Sequence, residues 1–224
     1  TMILTESSIR KLISLIIERG ARVQSMAANF DDSAESDSFE SGEYDVSFSG
    51  NSKFVFPVGI YKGVSYKNKI TSKPQKVRTD VGNVKDTKTG KVTKRGNKAH
   101  EGYDIGCPSG TPLIAVTDGI VVKSVFHEGG ASGYYIKIKH GDGSKSLYCH
   151  MKELGLPKGT KVKKGDIIGL SGKTGKVTGP HLHFGFQPSG SKRASSNPSD
   201  YSSIIISGSE VTVKEKEKDL KKSS

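Results

Sequence analysis

Between Phe54 and Gln187 glycine or proline interrupts the chain at short intervals, which leaves no room for the long uninterrupted periods that helical layers need. With 27 glycines and only 33% hydrophobic residues, the composition points the same way, to a body of short strands and many turns. Runs of β-type residues over 53–57, 112–123, 134–140, 144–151, 167–171 and 181–187 are the candidate strands. Alternation is visible in Tyr135, Ile136 and Ile138 around Lys137 and Lys139, and His140-Gly141-Asp142-Gly143 reads as a hairpin turn between two runs. The expectation is a mainly β, antiparallel domain over 53–203.

The flanks differ. Ile9, Leu12, Ile13, Ile16 and Ile17 recur at helical spacing before Gly20, so 1–30 is expected to carry a short amphipathic helix whose apolar stripe packs on its own protein or a partner. Residues 31–52 read as an acidic, Ser-rich linker, with 7 acidic groups between Asp31 and Asp45. Residues 204–224 read as a charged tail, and 76–98 as a long polar loop or a hairpin. The apolar run Leu12 to Ile17 is too short to span a bilayer and lacks the features of an export signal.

Charge narrows the partners. The net +12 divides into −5 over residues 1–52 and +17 over the rest, an excess that favours a polyanion, whether nucleic acid, anionic lipid or an anionic cell-wall polymer. No aromatic residues interleave with the cations to stack bases, so nucleic acid is not the expected partner.

Chemistry is concentrated in the histidines. His181 and His183 flank Leu182, and in a strand they share one face while Leu182 turns to the other. His100 and Asp104 supply an imidazole and a carboxylate. Two neutral imidazoles and a carboxylate, with a fourth position open, are the ingredients of a catalytic zinc site. His150 lies in a strand of its own, within reach of the same place. Against this, His-x-His pairs also occur by chance on surface strands. His127 and His140 lack partners and are expected to be solvated. Cys149 is expected to face away from whatever His150 faces, and Cys107 and Cys149 to be idle, buried thiols.

These residues sit in an ordered series of short blocks: Phe56-Pro57-Val58, Arg78-Thr79-Asp80, His100-x-Gly-x-Asp104, Gly110-Thr111-Pro112, Asp118-Gly119-Ile120-Val121, Tyr148-Cys149-His150-Met151, Gly165-Asp166-Ile167-Ile168-Gly169 and Thr178-Gly179-Pro180-His181-Leu182-His183-Phe184. The series resembles the LytM/lysostaphin-type zinc metallopeptidases, which cut peptide bonds in bacterial peptidoglycan. That resemblance implies a lysostaphin-like fold of the duplicated-hybrid-motif kind with a lipoyl-like hairpin, zinc (Zn2+) held by His100, Asp104 and His183, and catalytic roles for His150 and His181, one of them as general base. It also implies peptidoglycan as partner. The short first helix and acidic linker, with no visible export signal, add the expectation of an extracellular or virion-associated place of action with tail proteins of a virion as partners of that helix, against a bacterial wall-remodelling enzyme as the competing reading. Departures are Val177 where serine is usual, Gly185 where glutamate is common, and Cys149 where a small residue is common. The rival expectation is a non-catalytic wall-binding module of the same fold. A lipoyl or biotinyl carrier is set aside because the hairpin has no lysine in the Met-Lys-Met-like turn that such carriers modify.

Overall fold

The structure, a computed structural model, describes residues 44–76, 83–85, 92–94 and 99–216. All of them fall in one unit, Ser38–Ser224. The helix expected over 1–30, with its proposed partner surface, and residues 217–224 lie outside the described residues. Among the described residues no helix is long and apolar enough to cross a membrane.

Fourteen strands are found among the described residues, in chain order: β1 (Tyr44–Phe48), β2 (Ile60–Tyr61), β3 (Ile70–Ser72), β4 (Asn83–Lys85), β5 (Val92–Lys94), β6 (Tyr103–Gly106), β7 (Pro112–Ile114), β8 (Gly119–His127), β9 (Gly133–His140), β10 (Lys145–Met151), β11 (Lys161–Val162), β12 (Ile167–Leu170), β13 (His181–Gln187) and β14 (Val211–Glu215). The main sheet has seven strands in the order β11-β8-β9-β10-β13-β6-β3, all neighbours antiparallel. This is the mainly β, antiparallel architecture that the glycine-broken runs predict.

One face of the sheet is sealed. Alternate residues Tyr103 and Ile105 of β6, Ile136 and Ile138 of β9, and Leu182 and Phe184 of β13 are buried in one apolar core with Phe54, Phe56 and Tyr201. Tyr148 of β10 stands edge-on to Phe184, with ring centroids 5.3 Å apart. Each such side chain contributes ~1.5–3 kcal/mol through removal from water. The period-2 pattern that drives these residues inward turns their neighbours to the opposite face, and that face carries the histidines.

Three segments differ from the sequence reading, and a fourth, 76–98, takes the hairpin form of its two expected ones. Residues 53–57 form no strand; Val55 makes a single bridge to Ser209. The run 112–123 is two strands, because Ala115 N–H bonds the Asp166 carbonyl and Val116 N–H bonds the Tyr148 hydroxyl, which takes the chain off one ladder before β8 starts another. The polar stretch 76–98 contains the antiparallel pair β4 and β5. Finally, parts of the expected linker and tail belong to the folded body: β1 pairs antiparallel with β14, which in turn pairs parallel with β2. Val211 and Val213 alternate inward on β14, a β-branched signal outweighed in the sequence by the lysines that follow. Before it, Asn197 caps a 3-10 turn, Pro198–Tyr201, by accepting from Ser199 N–H at 3.2 Å, and the turn after it buries Ile204 and Ile205.

Candidate metal centre

Register assembles the site. In the β6–β13 ladder Asp104 stands directly opposite His183, although 79 residues separate them in sequence. Their side chains meet on the open face, His183 Nδ1 lying 2.8 Å from Asp104 Oδ1. His100 enters from the segment before β6, held by a bridge to Gln75. Its Nε2 lies 3.1 Å from Asp104 Oδ1 and 3.2 Å from His183 Nδ1. Gly102, between them, is required by close approach: a Cβ there would stand 2.8 Å from the His183 ring and 2.6 Å from the Phe184 carbonyl.

These three side chains form a group able to hold a metal ion, with donor atoms all within 4.8 Å of one another. Ligands ~2.0–2.1 Å from a tetrahedral zinc ion stand ~3.3 Å from each other, close to the observed spacings. Proton positions point the same way. The Lys73 carbonyl, 2.8 Å from His100 Nδ1, accepts a hydrogen bond from it, so a neutral His100 turns the lone pair of Nε2 towards the Asp104 carboxylate. Two acceptors facing each other at 3.1 Å repel unless a cation lies between them, and the donor set therefore fits the zinc that the resemblance implies. Burial opposes charge on Asp104, yet the adjacent His100 and His183 imidazoles outweigh it and hold the carboxyl far below its usual range.

Two further imidazoles border this group. His181 lies on the same face of β13 as His183, while Leu182 is in the core, as the alternation predicts. Its Nδ1–H donates to the Gly179 carbonyl at 2.9 Å, and its Nε2 is 3.8 Å from Asp104 Oδ1. His150 arrives by a local irregularity. Two residues of β10, Cys149 and His150, span the place of one on β9, and His150 has φ of 64°, a left-handed conformation uncommon outside glycine. The bulge returns Met151 to the core and leaves His150 on the open face, its ring 4.7 Å from that of His181 and 6.0 Å from that of His183. Thr174 fixes it: its carbonyl accepts from His150 Nδ1 at 2.9 Å, and its hydroxyl bonds the Met151 carbonyl at 2.7 Å. Burial, then the neighbouring His181 and His183, push the His150 imidazolium down to about 3, so His150 is neutral near pH 7.

All five side chains singled out in the sequence thus converge. Two other readings are corrected. Cys149 does not face away from His150, because the bulge breaks the alternation; Cys149 pairs across the ladder with His183 itself. Both cysteines are free and buried, and burial raises the Cys107 thiol to about 11 and the Cys149 thiol to about 12. His140 is not solvated but buried, with Nδ1 2.9 Å from the Asp118 carbonyl and Nε2 3.0 Å from Ser146 Oγ. His127 is exposed, as expected.

Residues 98–198 match the sequence pattern of peptidase family M23. The peptidoglycan DD-endopeptidase ShyA of Vibrio cholerae is 45% identical over 93 residues, which make up 42% of this chain and 21% of that protein. The DD-carboxypeptidase/endopeptidase Mpg of Neisseria meningitidis is 37% identical over 87 residues, 39% of this chain and 20% of that protein. A solved zinc-containing peptidase from Vibrio cholerae is 33% identical, covering 65% of this chain and 38% of that one at a TM-score of 0.47. The chain spans about a fifth of the length of these curated relatives. The matched stretch, residues 98–198, contains all five side chains that converge, and it is this domain of the chain that is similar to peptidase family M23, the LytM/lysostaphin family.

Proposed function

We propose that this protein is a zinc-dependent endopeptidase that hydrolyses peptide bonds of bacterial peptidoglycan. The observation that carries the reading is the convergence of His100, Asp104 and His183 at 2.8 to 3.2 Å, with two more imidazoles beside them. His100, Asp104 and His183 are the residues that would hold the ion. Zinc bound there supplies Lewis acidity, polarising a carbonyl and lowering the pKa of water to ~7.

The chain's own groups do the rest. The carbonyls of Gly179 and Thr174 take the Nδ1–H of His181 and His150, so each neutral ring offers Nε2 as a proton acceptor. One of the two accepts a proton from the attacking water and then delivers it to the leaving amine. The other, having taken up a proton from bulk solvent at Nε2, donates a hydrogen bond to the carbonyl oxygen as negative charge builds on it and returns that proton to solvent when the product leaves. The Gly179 and Thr174 carbonyls keep these two rings from rotating out of position. Peptidoglycan as substrate is supported by the family and by the names of the relatives, and the basic balance of the domain suits an anionic wall.

Released groups test this. Incubated with purified peptidoglycan, the protein is expected to generate new amino groups and no new reducing ends. Reducing ends without amino groups would make it a glycosidase, and release of neither would leave a wall-binding module.

A further inference from the structure

The open face of the sheet continues past the histidines. On β13 the residues that share the face of His183 are Gly185 and Gln187, and opposite them on β10 stand Cys149, Leu147 and Lys145. One strand further, Lys137 of β9 lies beside Leu147. Here the surface sinks into a pocket of about 170 Å³ lined by Glu101, Lys137, Lys145, Leu147, Lys192 and Arg193. Gly185 keeps its floor low, since a Cβ there would stand 3.2 Å from the Glu101 carbonyl and 3.3 Å from Ala194 Cβ.

The pocket's charge is lopsided. Glu101 is already engaged by Arg193, whose Nε lies 2.8 Å from its Oε1. Among the described residues no carboxylate lies within 4.0 Å of the ammonium groups of Lys137, Lys145 or Lys192. Lys137 and Lys145 are half-buried on the sheet itself, where a cation loses part of its hydration without a counter-charge. A bound anion would restore that balance.

Distance says where on a substrate the anion sits. Strand residues rise ~3.3 Å, so Leu147 and Gly185 lie ~7 Å along the sheet from Cys149 and His183. An extended peptide laid on this face covers that interval in about two residues. We propose that the pocket binds a free carboxylate of the peptide about two residues from the bond placed at His100, Asp104 and His183, so that the protein selects acidic peptide strands. The proposal rests on the peptidase reading above and specifies its substrate class.

The test compares purified peptidoglycan with the same material after its free carboxyl groups have been converted to carboxamides by carbodiimide and ammonium chloride, following amino-group release. For the unaltered protein, amidation is expected to raise KM about tenfold with kcat changed far less, the size expected when a charge-assisted contact is lost. In the Lys137→Gln/Lys145→Gln double variant, with folding checked by circular dichroism, the ratio between the two substrates is expected to shrink to within about twofold. Equal KM on both materials for the unaltered protein overturns the proposal, as does a double variant that keeps the full ratio. If neither material releases amino groups, the peptidase reading fails instead, and the two failures are told apart.

Discussion

Replacing Asp104 with alanine is expected to leave the protein folded and almost free of metal, with no measurable release of amino groups from peptidoglycan. Asp104 is the centre of the group: His100, His183 and His181 approach its Oδ1 at 3.1, 2.8 and 3.8 Å. It is also the only anion among the three proposed ligands, so its loss leaves two neutral imidazoles to hold a dication. Loss of a mere supporting partner costs ~10–100-fold in metal affinity, and loss of a ligand costs more. Metal analysis after dialysis, beside a thermal melt to confirm folding, checks this. Undiminished metal in Asp104→Ala would reassign the ligand set.

The second large effect separates chemistry from metal binding. His181→Ala is expected to lower the rate of bond cleavage by ~10²–10⁴-fold, the range for loss of a positioned acid or base, which is ~3–5 kcal/mol in the barrier. Metal content is expected to stay that of the unaltered protein, because His181 turns Nε2 to Asp104 at 3.8 Å and is not one of the three clustered donors. At His150 asparagine is the better replacement, since it tolerates the left-handed φ of 64° at that position. His150→Asn is expected to show the same split of lost rate and retained metal. Near-normal rates in either variant would remove that residue from the mechanism.

How much of this was legible in the sequence follows from the range of each interaction. The shared face of His181 and His183 is a strictly local consequence of strand geometry, and the structure has it. So is the hairpin at His140 to Gly143, closed by a bond from Gly143 N–H to the His140 carbonyl at 3.0 Å. The meeting of Asp104 with His183 is different: it depends on the register of two strands far apart in the chain, which spacing alone does not fix and which came only through the family resemblance. Local alternation also misleads wherever the strand is irregular. At Cys149 and His150 the bulge turns neighbouring residues onto one face, and no residue type there announces it. His140 was misread because its Gly-Asp-Gly neighbours are polar, whereas its ring is buried against Asp118 and Ser146 of other segments. The strands β1 and β14 escaped notice because composition over a window of acidic or basic residues outweighed short alternations, Tyr44-Asp45-Val46 and Val211-Thr212-Val213, that find partners only in three dimensions.

The central claim is that His100, Asp104 and His183 hold one catalytic zinc ion. Its most direct test is to strip the purified protein with a chelator, add zinc back, and follow bound metal and amino-group release together. About one equivalent of metal before stripping, loss of cleavage after it, and recovery of both as zinc is returned is the predicted result. A freshly purified protein with no bound transition metal, whose cleavage neither falls with the chelator nor rises with zinc, would contradict the account.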